Sequence, residues 1–321
     1  MAVSKNRRKN GKKATRQPAA TARQKQPDAN VPADLSVGQL KAMEQLMATL
    51  RRGLAAPDFG SDDASTALNA AQDLVYEAWE ASTRQQRVKL AKQALKISEL
   101  CADAWLVLAE ETAGNTAVQR DYLEKAVAAG QAAIHQTVGP HAFEQEAGHF
   151  WSILETRPYM RARAALAESL WDSNERQQAV AHWQDLLRLC PNDNLGIRYI
   201  LGSKLLELDQ LAAARDLLEA YDEPDSAEWS YSFALLQFKQ AGASQSAAKA
   251  LAAAINTNPH VPDYLLGVRR LPETPPPYYE LGSDGEAVIY LLSGFNAWRS
   301  TTGALEWIGG VVTSIGDAKR H

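Results

Sequence analysis

The sequence predicts an all-α fold, a tetratricopeptide-like helical-repeat solenoid preceded by a disordered basic N-terminal tail. Apolar residues recur at helical spacing over most of the chain, which is typical of amphipathic helices. Small and large residues also recur with a period of about 34 residues, and prolines stand near the ends of the repeated units. A helix–turn–helix repeat explains all three observations.

The repeat is clearest in three consecutive segments, which are Met160–Asn192, Leu195–Pro224 and Glu228–His260. Their matched alanines, Ala179, Ala214 and Ala247, lie 35 and 33 residues apart. A small side chain at this position lets the two helices of one unit approach closely. We therefore expect two packed helices in each unit, with Gly202 facing Ala214 in the second.

The pattern departs from the usual repeat in two ways. Arg163 and Arg198 stand where an aromatic residue is expected in the first two units. In the third unit, Ala234 and Leu235 reverse the order of the small and the large residue. The second unit consequently fits the repeat best.

The rest of the chain gives the domain organisation. We predict a disordered basic tail at 1–32 and a helical N-terminal cap and linker at 33–60. The solenoid covers 61–270, with an inserted helix near 140–157, and a proline-rich connector with a helical C-terminal cap covers 271–321. Caps are expected because the terminal repeats of a solenoid must hide an otherwise open apolar face.

Charge is distributed unevenly along the chain. The formal net charge is −4, but residues 1–30 carry +8, which leaves −12 for the remainder. Such a tail can contact RNA or another nucleic acid by releasing counterions, or it can simply improve solubility. The basic residues central to nucleic-acid contact are Arg7, Arg8, Lys9, Lys12 and Lys13. No aromatic residue lies among them, so any RNA contact would be non-specific.

A catalytic or metal site has weak support in the sequence. His141, Glu144, Glu146 and His149 crowd one short segment, which leaves a metal-dependent hydrolase as an alternative. Ordinary capping and packing explain these residues better, and we find neither a phosphate-binding loop nor a nucleophile–base–acid arrangement. The sequence therefore predicts no enzymatic activity, no metal site and no cofactor.

The better prediction is recognition of a protein or peptide segment by a groove. In repeats of this type, the first helix of each unit lines the concave face. The side chains predicted to line this partner groove are Arg161, Glu168, Trp171, Tyr199, Ser203, Trp229, Ser232 and Lys239. Packing between repeats is the alternative interpretation for the aromatic residues Trp171, Tyr199 and Trp229.

The predicted location is cytoplasmic, without a membrane partner. No apolar run approaches the roughly 20 residues that a bilayer-spanning helix needs, and the N-terminus has no apolar signal region. The chain has only two cysteines, Cys101 and Cys190, which is typical of a reducing environment rather than of a disulfide framework.

Three motifs carry a family resemblance: "ETRPYMRAR" at 155–163, "CPNDNLGIRY" at 190–199 and "NPHVPDYLLG" at 258–267. With them, residues 68–308 resemble the suppressor of tumorigenicity family, in the form of its soluble bacterial-type relatives. The resemblance implies a helical-repeat scaffold without an assigned chemistry. The eukaryotic members carry membrane segments that this sequence lacks, so a membrane location is not carried over.

Overall fold

The computed structural model describes residues 44–47, 63–221, 223 and 225–318, and all regular secondary structure in these ranges is helical. Residues 44–47 are helical. The helices that follow are α1 Asp63–Glu80, α2 Arg84–Ile97, α3 Ala102–Thr112, α4 Thr116–Thr137, α5 Ala142–Gln145, α6 Arg157–Asp172, α7 Arg176–Leu189, α8 Ile197–Glu207, α9 Leu211–Tyr221, α10 Ala227–Ala241, α11 Gln245–Thr257, α12 Val261–Leu265, α13 Asp284–Ser300 and α14 Ala304–Ala318. The predicted all-α fold is confirmed.

The three repeat units form the helix pairs α6/α7, α8/α9 and α10/α11, and α1/α2 and α3/α4 precede them. Each helix of a pair packs against the other, and neighbouring pairs pack together. The matched alanines Ala179, Ala214 and Ala247 are fully buried, at 0% exposure. Small side chains therefore stand where the repeat requires close packing, as predicted.

The motif "CPNDNLGIRY" ends helix α7 and begins helix α8. Asp193 has a positive φ of 49°, and its carboxylate accepts hydrogen bonds from the backbone N–H groups of Ile197 at 2.7 Å and Arg198 at 2.8 Å. The carboxylate satisfies N–H groups that would otherwise lack partners at the start of a helix. Gly196, with a φ of +70°, supplies the left-handed conformation at the helix boundary that glycine adopts readily.

The arginines at the expected aromatic positions connect the two helices of their units. Arg163 on α6 forms an ion pair with Asp185 on α7. Arg198 on α8 pairs with Glu223, just after α9, at 2.7 Å. Ion pairs therefore take the place of aromatic packing in these two units.

The extra helix expected near 140–157 is limited to the single turn α5. Gly148 follows it with a φ of +95°, a conformation outside the helical region, and its N–H donates to the carbonyl of Leu189 at 3.0 Å. Two short 3-10 turns then lead into α6. The aromatic rings of Phe143 and Phe150, 5.2 Å apart, give this segment its packing.

The expected contact between Gly202 and Ala214 differs in the structure. A Cβ placed on Gly202 would lie 3.8 Å from Cδ2 of Leu217, an ordinary van der Waals distance. The second unit is therefore less tightly packed at Gly202 than its pattern predicts. The nearest side chain is that of Leu217, which lies three residues after Ala214 on helix α9.

The C-terminal region separates into a connector and two helices. No helix forms between α12 and α13, the stretch that contains the expected proline-rich connector. Ser283 caps α13 by accepting a hydrogen bond from the N–H of Glu286 at 3.2 Å, as the sequence pattern predicts. Helix α14 packs against α11 and α12, whereas α13 packs mainly against α8, α12 and α10. Helix α14 also contacts α13, so the two C-terminal helices pack on each other as well as on the repeats.

We predict that Gly130→Ala destabilises the protein by about 1–3 kcal/mol, the usual cost of overpacking. A Cβ on Gly130 in α4 would lie 2.9 Å from Cα and Cβ of Tyr159 in α6, so two helices would have to separate. Urea denaturation measures the free energy of unfolding.

The matched control is Gly310→Ala in helix α14, where an added Cβ meets no atom within 4 Å. This change should be neutral or should stabilise by up to about 1 kcal/mol through helix propensity. Equal free energies of unfolding for the two variants would contradict the close contact between α4 and α6.

Candidate functional site: a groove face covered by helix α13

The groove face is the side of the first helices α6, α8 and α10 on which the predicted partner residues lie. Helix α13 lies against α8 and α10. Its Tyr290 packs on Tyr231 of α10 with ring centroids 5.7 Å apart, and its fully buried Trp298 donates a hydrogen bond to the Tyr290 hydroxyl at 2.6 Å. Part of the groove face is therefore covered by a helix of the same chain.

A buried carboxyl group joins the three helices. Glu228 on α10 is hydrogen-bonded to the hydroxyl of Ser203 on α8 at 2.8 Å and to that of Ser293 on α13 at 3.0 Å. Burial raises the pKa of Glu228 to about 8, while the serine hydroxyls and Lys204 lower it and Glu286 raises it. Burial is the largest cause of the shift, and it raises the pKa because it penalises the charged form.

A second carboxyl group fixes the start of α13. The side chain of Glu286 accepts hydrogen bonds from Ala227 N at 2.8 Å, Asn258 Nδ2 at 2.9 Å and Gly282 N at 2.7 Å. Asn258 is itself fully buried, and its backbone carbonyl accepts a hydrogen bond from the Tyr231 hydroxyl at 2.6 Å. This network ties the connector, α10 and α13 together at one end of the groove.

An ionic network occupies the other end of the described groove. The Arg161 guanidinium on α6 bonds to Asp103 on α3 at 2.6 Å and to Glu44 at 2.9 Å. Arg157, one turn earlier, lies 3.6 Å from the same Glu44 carboxylate. The Arg161 guanidinium also lies 5.3 Å from the ring centroid of Trp79. Residues 44–47 thus contact the solenoid through a buried carboxylate.

The structure separates the predicted groove residues into buried and accessible groups. The buried or ion-paired members are Arg161, Ser203, Trp229, Ser232 and Lys239. Trp229 donates from Nε1 to the carbonyl of Leu218 at 3.1 Å and contacts Tyr199 edge-on with centroids 5.6 Å apart. Packing between repeats therefore describes Trp229, and its role in binding a partner stays a prediction.

The accessible part of the groove face surrounds Trp171. This half-buried ring lies 5.0 Å from the Arg176 guanidinium and 4.8 Å from Lys204 Nζ. Glu168, one turn earlier on α6, is exposed. Phe233 on α10 is 46% exposed, and the repeat pattern also places it on the concave face.

The residues that hold α13 were not identified as functional from the sequence. In the sequence, Glu286 stands three residues after Ser283, a spacing that indicates only the start of a helix. Glu228 was only the first residue of a repeat unit. A polar residue in an otherwise apolar register was the available signal, but it does not reveal which distant hydroxyl it contacts.

The segment with His141 and His149 does not form a metal site in the structure. Both histidines are exposed, and no group of three or more His, Cys, Asp or Glu side chains is placed to hold a metal ion among the described residues. Cys101 and Cys190 are free and buried. Burial raises the pKa of the Cys101 thiol to about 12, which disfavours the reactive thiolate.

The structure bears on the predicted absence of a membrane segment but not on the predicted RNA contact of the tail. Within the described ranges, no helix combines the length and the apolar character needed to cross a membrane. The basic residues Arg7, Arg8, Lys9, Lys12 and Lys13 lie outside the described residues, so the structure does not bear on RNA contact.

We predict that Arg161→Ala lowers the free energy of unfolding by about 3–5 kcal/mol, because removing one partner leaves buried charges uncompensated. Asp103 has no exposed surface and would keep Gln72 as its remaining side-chain hydrogen-bond donor in the described structure. Chemical denaturation at neutral pH gives the change.

Arg215→Ala, at an exposed position on α9, is the control and should change stability by no more than about 0.5 kcal/mol. If the two arginine variants were equally stable, the network around Arg161 would contribute little to folding.

Comparison with known proteins identifies the family. A suppressor of tumorigenicity 7 protein-like chain from Gallus gallus is 30% identical over 259 residues, covering 74% of this chain and 46% of that protein. The ST7 homologue of Caenorhabditis briggsae is 28% identical over 273 residues, covering 74% of this chain and 50% of its own. The chain thus spans about half the length of these curated relatives.

A solved structure and a family model complete the comparison. YrrB, described as a TPR protein with an unusual peptide-binding site, aligns with a TM-score of 0.43 and 18% identity, covering 71% of this chain and 95% of its own. The model of the ST7 protein family matches residues 59–314. Because that match includes well over half of the sequence, this chain belongs to the ST7 family.

Proposed function

We propose that this chain is a non-enzymatic scaffold or adaptor whose groove binds a helical segment of a partner protein. The observation that supports the proposal is helix α13, which lies on α8 and α10. Helix-in-groove recognition places one face of an amphipathic helix into a complementary surface. Once α13 has left, the surface that accommodates it offers the same polar partners to another helix.

The contacts of α13 define the kind of helix that fits. Glu286, Tyr290 and Ser293 follow at i, i+4 and i+7, and thus share one helical face. The acid meets backbone and amide donors, the ring packs on Tyr231, and the hydroxyl meets Glu228. We expect a partner helix to present an acidic, an aromatic and a small hydroxyl residue at this spacing.

The shape of α13 adds a steric requirement. A Cβ on Gly294 would lie 2.6 Å from the Tyr290 ring, so this glycine lets the ring lie along its own helix. A partner helix that places an aromatic residue in the Tyr290 position should therefore carry glycine four residues later. This requirement distinguishes a fitting helix from any amphipathic helix of similar composition.

The proposal predicts that a labelled peptide of residues 284–300 binds the full chain carrying Tyr290→Ala at least about tenfold more tightly than it binds the unaltered chain. The substitution weakens the helix that occupies the groove, so the binding-competent fraction rises and the apparent affinity rises with it. Fluorescence anisotropy measures the dissociation constants, and circular dichroism confirms that both proteins are folded.

Two controls define the result. Tyr278→Ala removes a tyrosine that is 80% exposed on the connector and should leave peptide affinity unchanged. A peptide carrying both Glu286→Ala and Tyr290→Ala should bind neither protein. Failure of the folded Tyr290→Ala chain to bind the unaltered peptide would overturn the proposal.

A further inference from the structure

We propose that the docking of α13 in the groove is controlled by a single proton on Glu228: the neutral carboxyl holds the helix, and its ionisation releases it. This inference concerns the protein's own helix and does not depend on the partner binding proposed above. It makes the groove a site whose occupancy responds to pH.

The hydrogen-bond geometry around Ser293 accommodates a neutral carboxyl group. The single hydroxyl proton of Ser293 faces two acceptors, the carbonyl of Tyr290 at 3.0 Å and Oε2 of Glu228 at 3.0 Å. If Glu228 is protonated, it donates to Ser293, which then donates to the Tyr290 carbonyl. Ser203 donates to the other carboxyl oxygen at 2.8 Å, and each group has a partner.

The ionised form keeps these two serine donors but loses its hydration. Ser203 and Ser293 can both donate to the carboxylate, and these hydroxyls lower the pKa of Glu228, but burial raises it by more. The charge would also lie among three packed helices, where hydration is lost. Ionisation therefore costs more free energy while α13 covers Glu228 than after α13 has left.

The charged groups around Glu228 do not offset this cost. Lys204 on α8 attracts the carboxylate, but it also lies 3.7 Å from Glu207. Glu286 on α13 repels the charge, and Tyr290 and the connector residue Tyr279 also interact with Glu228. The net effect is a pKa of about 8 for Glu228, raised from 4.5.

The sign of the pH dependence follows from linkage. Burial raises the pKa of Glu228, and α13 covers this side chain through Ser293, so the docked state binds the proton more tightly than the undocked state. The stabilisation of docking is complete below the ordinary value of 4.5 and is lost progressively as pH rises through about 8. Between these values, the equilibrium constant for undocking should rise by up to about tenfold per pH unit.

Hydrogen–deuterium exchange on the full chain tests the proposal. Protection factors, which remove the intrinsic pH dependence of exchange, are compared at pH 6 and pH 8 for amides 287–298 of α13 and 71–78 of α1. We expect protection in α13 to fall at least about tenfold, while protection in α1 stays constant. Equal protection of α13 at both pH values would overturn the proposal.

Substitutions assign the effect to one carboxyl group. Glu228→Gln keeps a hydrogen-bonding side chain that cannot ionise, and should make protection of α13 independent of pH. Glu219→Gln, at an exposed position on α9, should retain the pH dependence of the unaltered protein. If Glu228→Gln also retained it, another group would be responsible; if that variant did not fold, the pH comparison on the unaltered chain would still decide whether α13 is released.

Discussion

Helix α13 gives helices α8 and α10 a third packing layer, and this contact determines how the polar residues of the groove are used. In a repeat solenoid, each unit packs only on its neighbours, so its concave face ordinarily meets water. Once a helix covers that face, each polar group beneath it needs a partner within the protein. Ser203 and Glu228 meet this requirement together with Ser293, a residue of the covering helix.

The buried carboxylates at the two ends of the groove face are stabilised by different kinds of donor. Arg161 and Arg157 surround Glu44 with cationic donors, whereas Glu286 relies on backbone N–H groups and an amide. An ion pair of this kind is costly to disrupt, because it leaves a charge buried. Neutral donors instead bond to a carboxyl group without adding a second buried charge, and Glu228 is likewise bonded to the hydroxyls of Ser203 and Ser293.

Local features of the fold could be predicted from the sequence, whereas its long-range contacts could not. The buried alanines Ala179, Ala214 and Ala247 follow from a period that recurs in successive units. Ser283 caps α13 through residues that are its neighbours in the sequence. The bonds of Glu228 to Ser203 and Ser293 span 25 and 65 positions, and no periodicity encodes such a pairing. Because such contacts are not visible in the sequence, α13 was predicted to be a C-terminal cap, whereas in the structure it lies on the groove face against α8 and α10.

The residues behind the family resemblance explain why it predicts architecture better than partners. Arg161 from the first motif, Asp193 from the second and Asn258 from the third are all engaged in contacts within the protein. Such residues fix helix ends and helix pairs, so a shared motif implies a shared scaffold. Accessible residues of the groove face, such as Glu168 and Phe233, lie outside these motifs. In the proposed scaffold, partner choice therefore depends on positions that the motifs do not include.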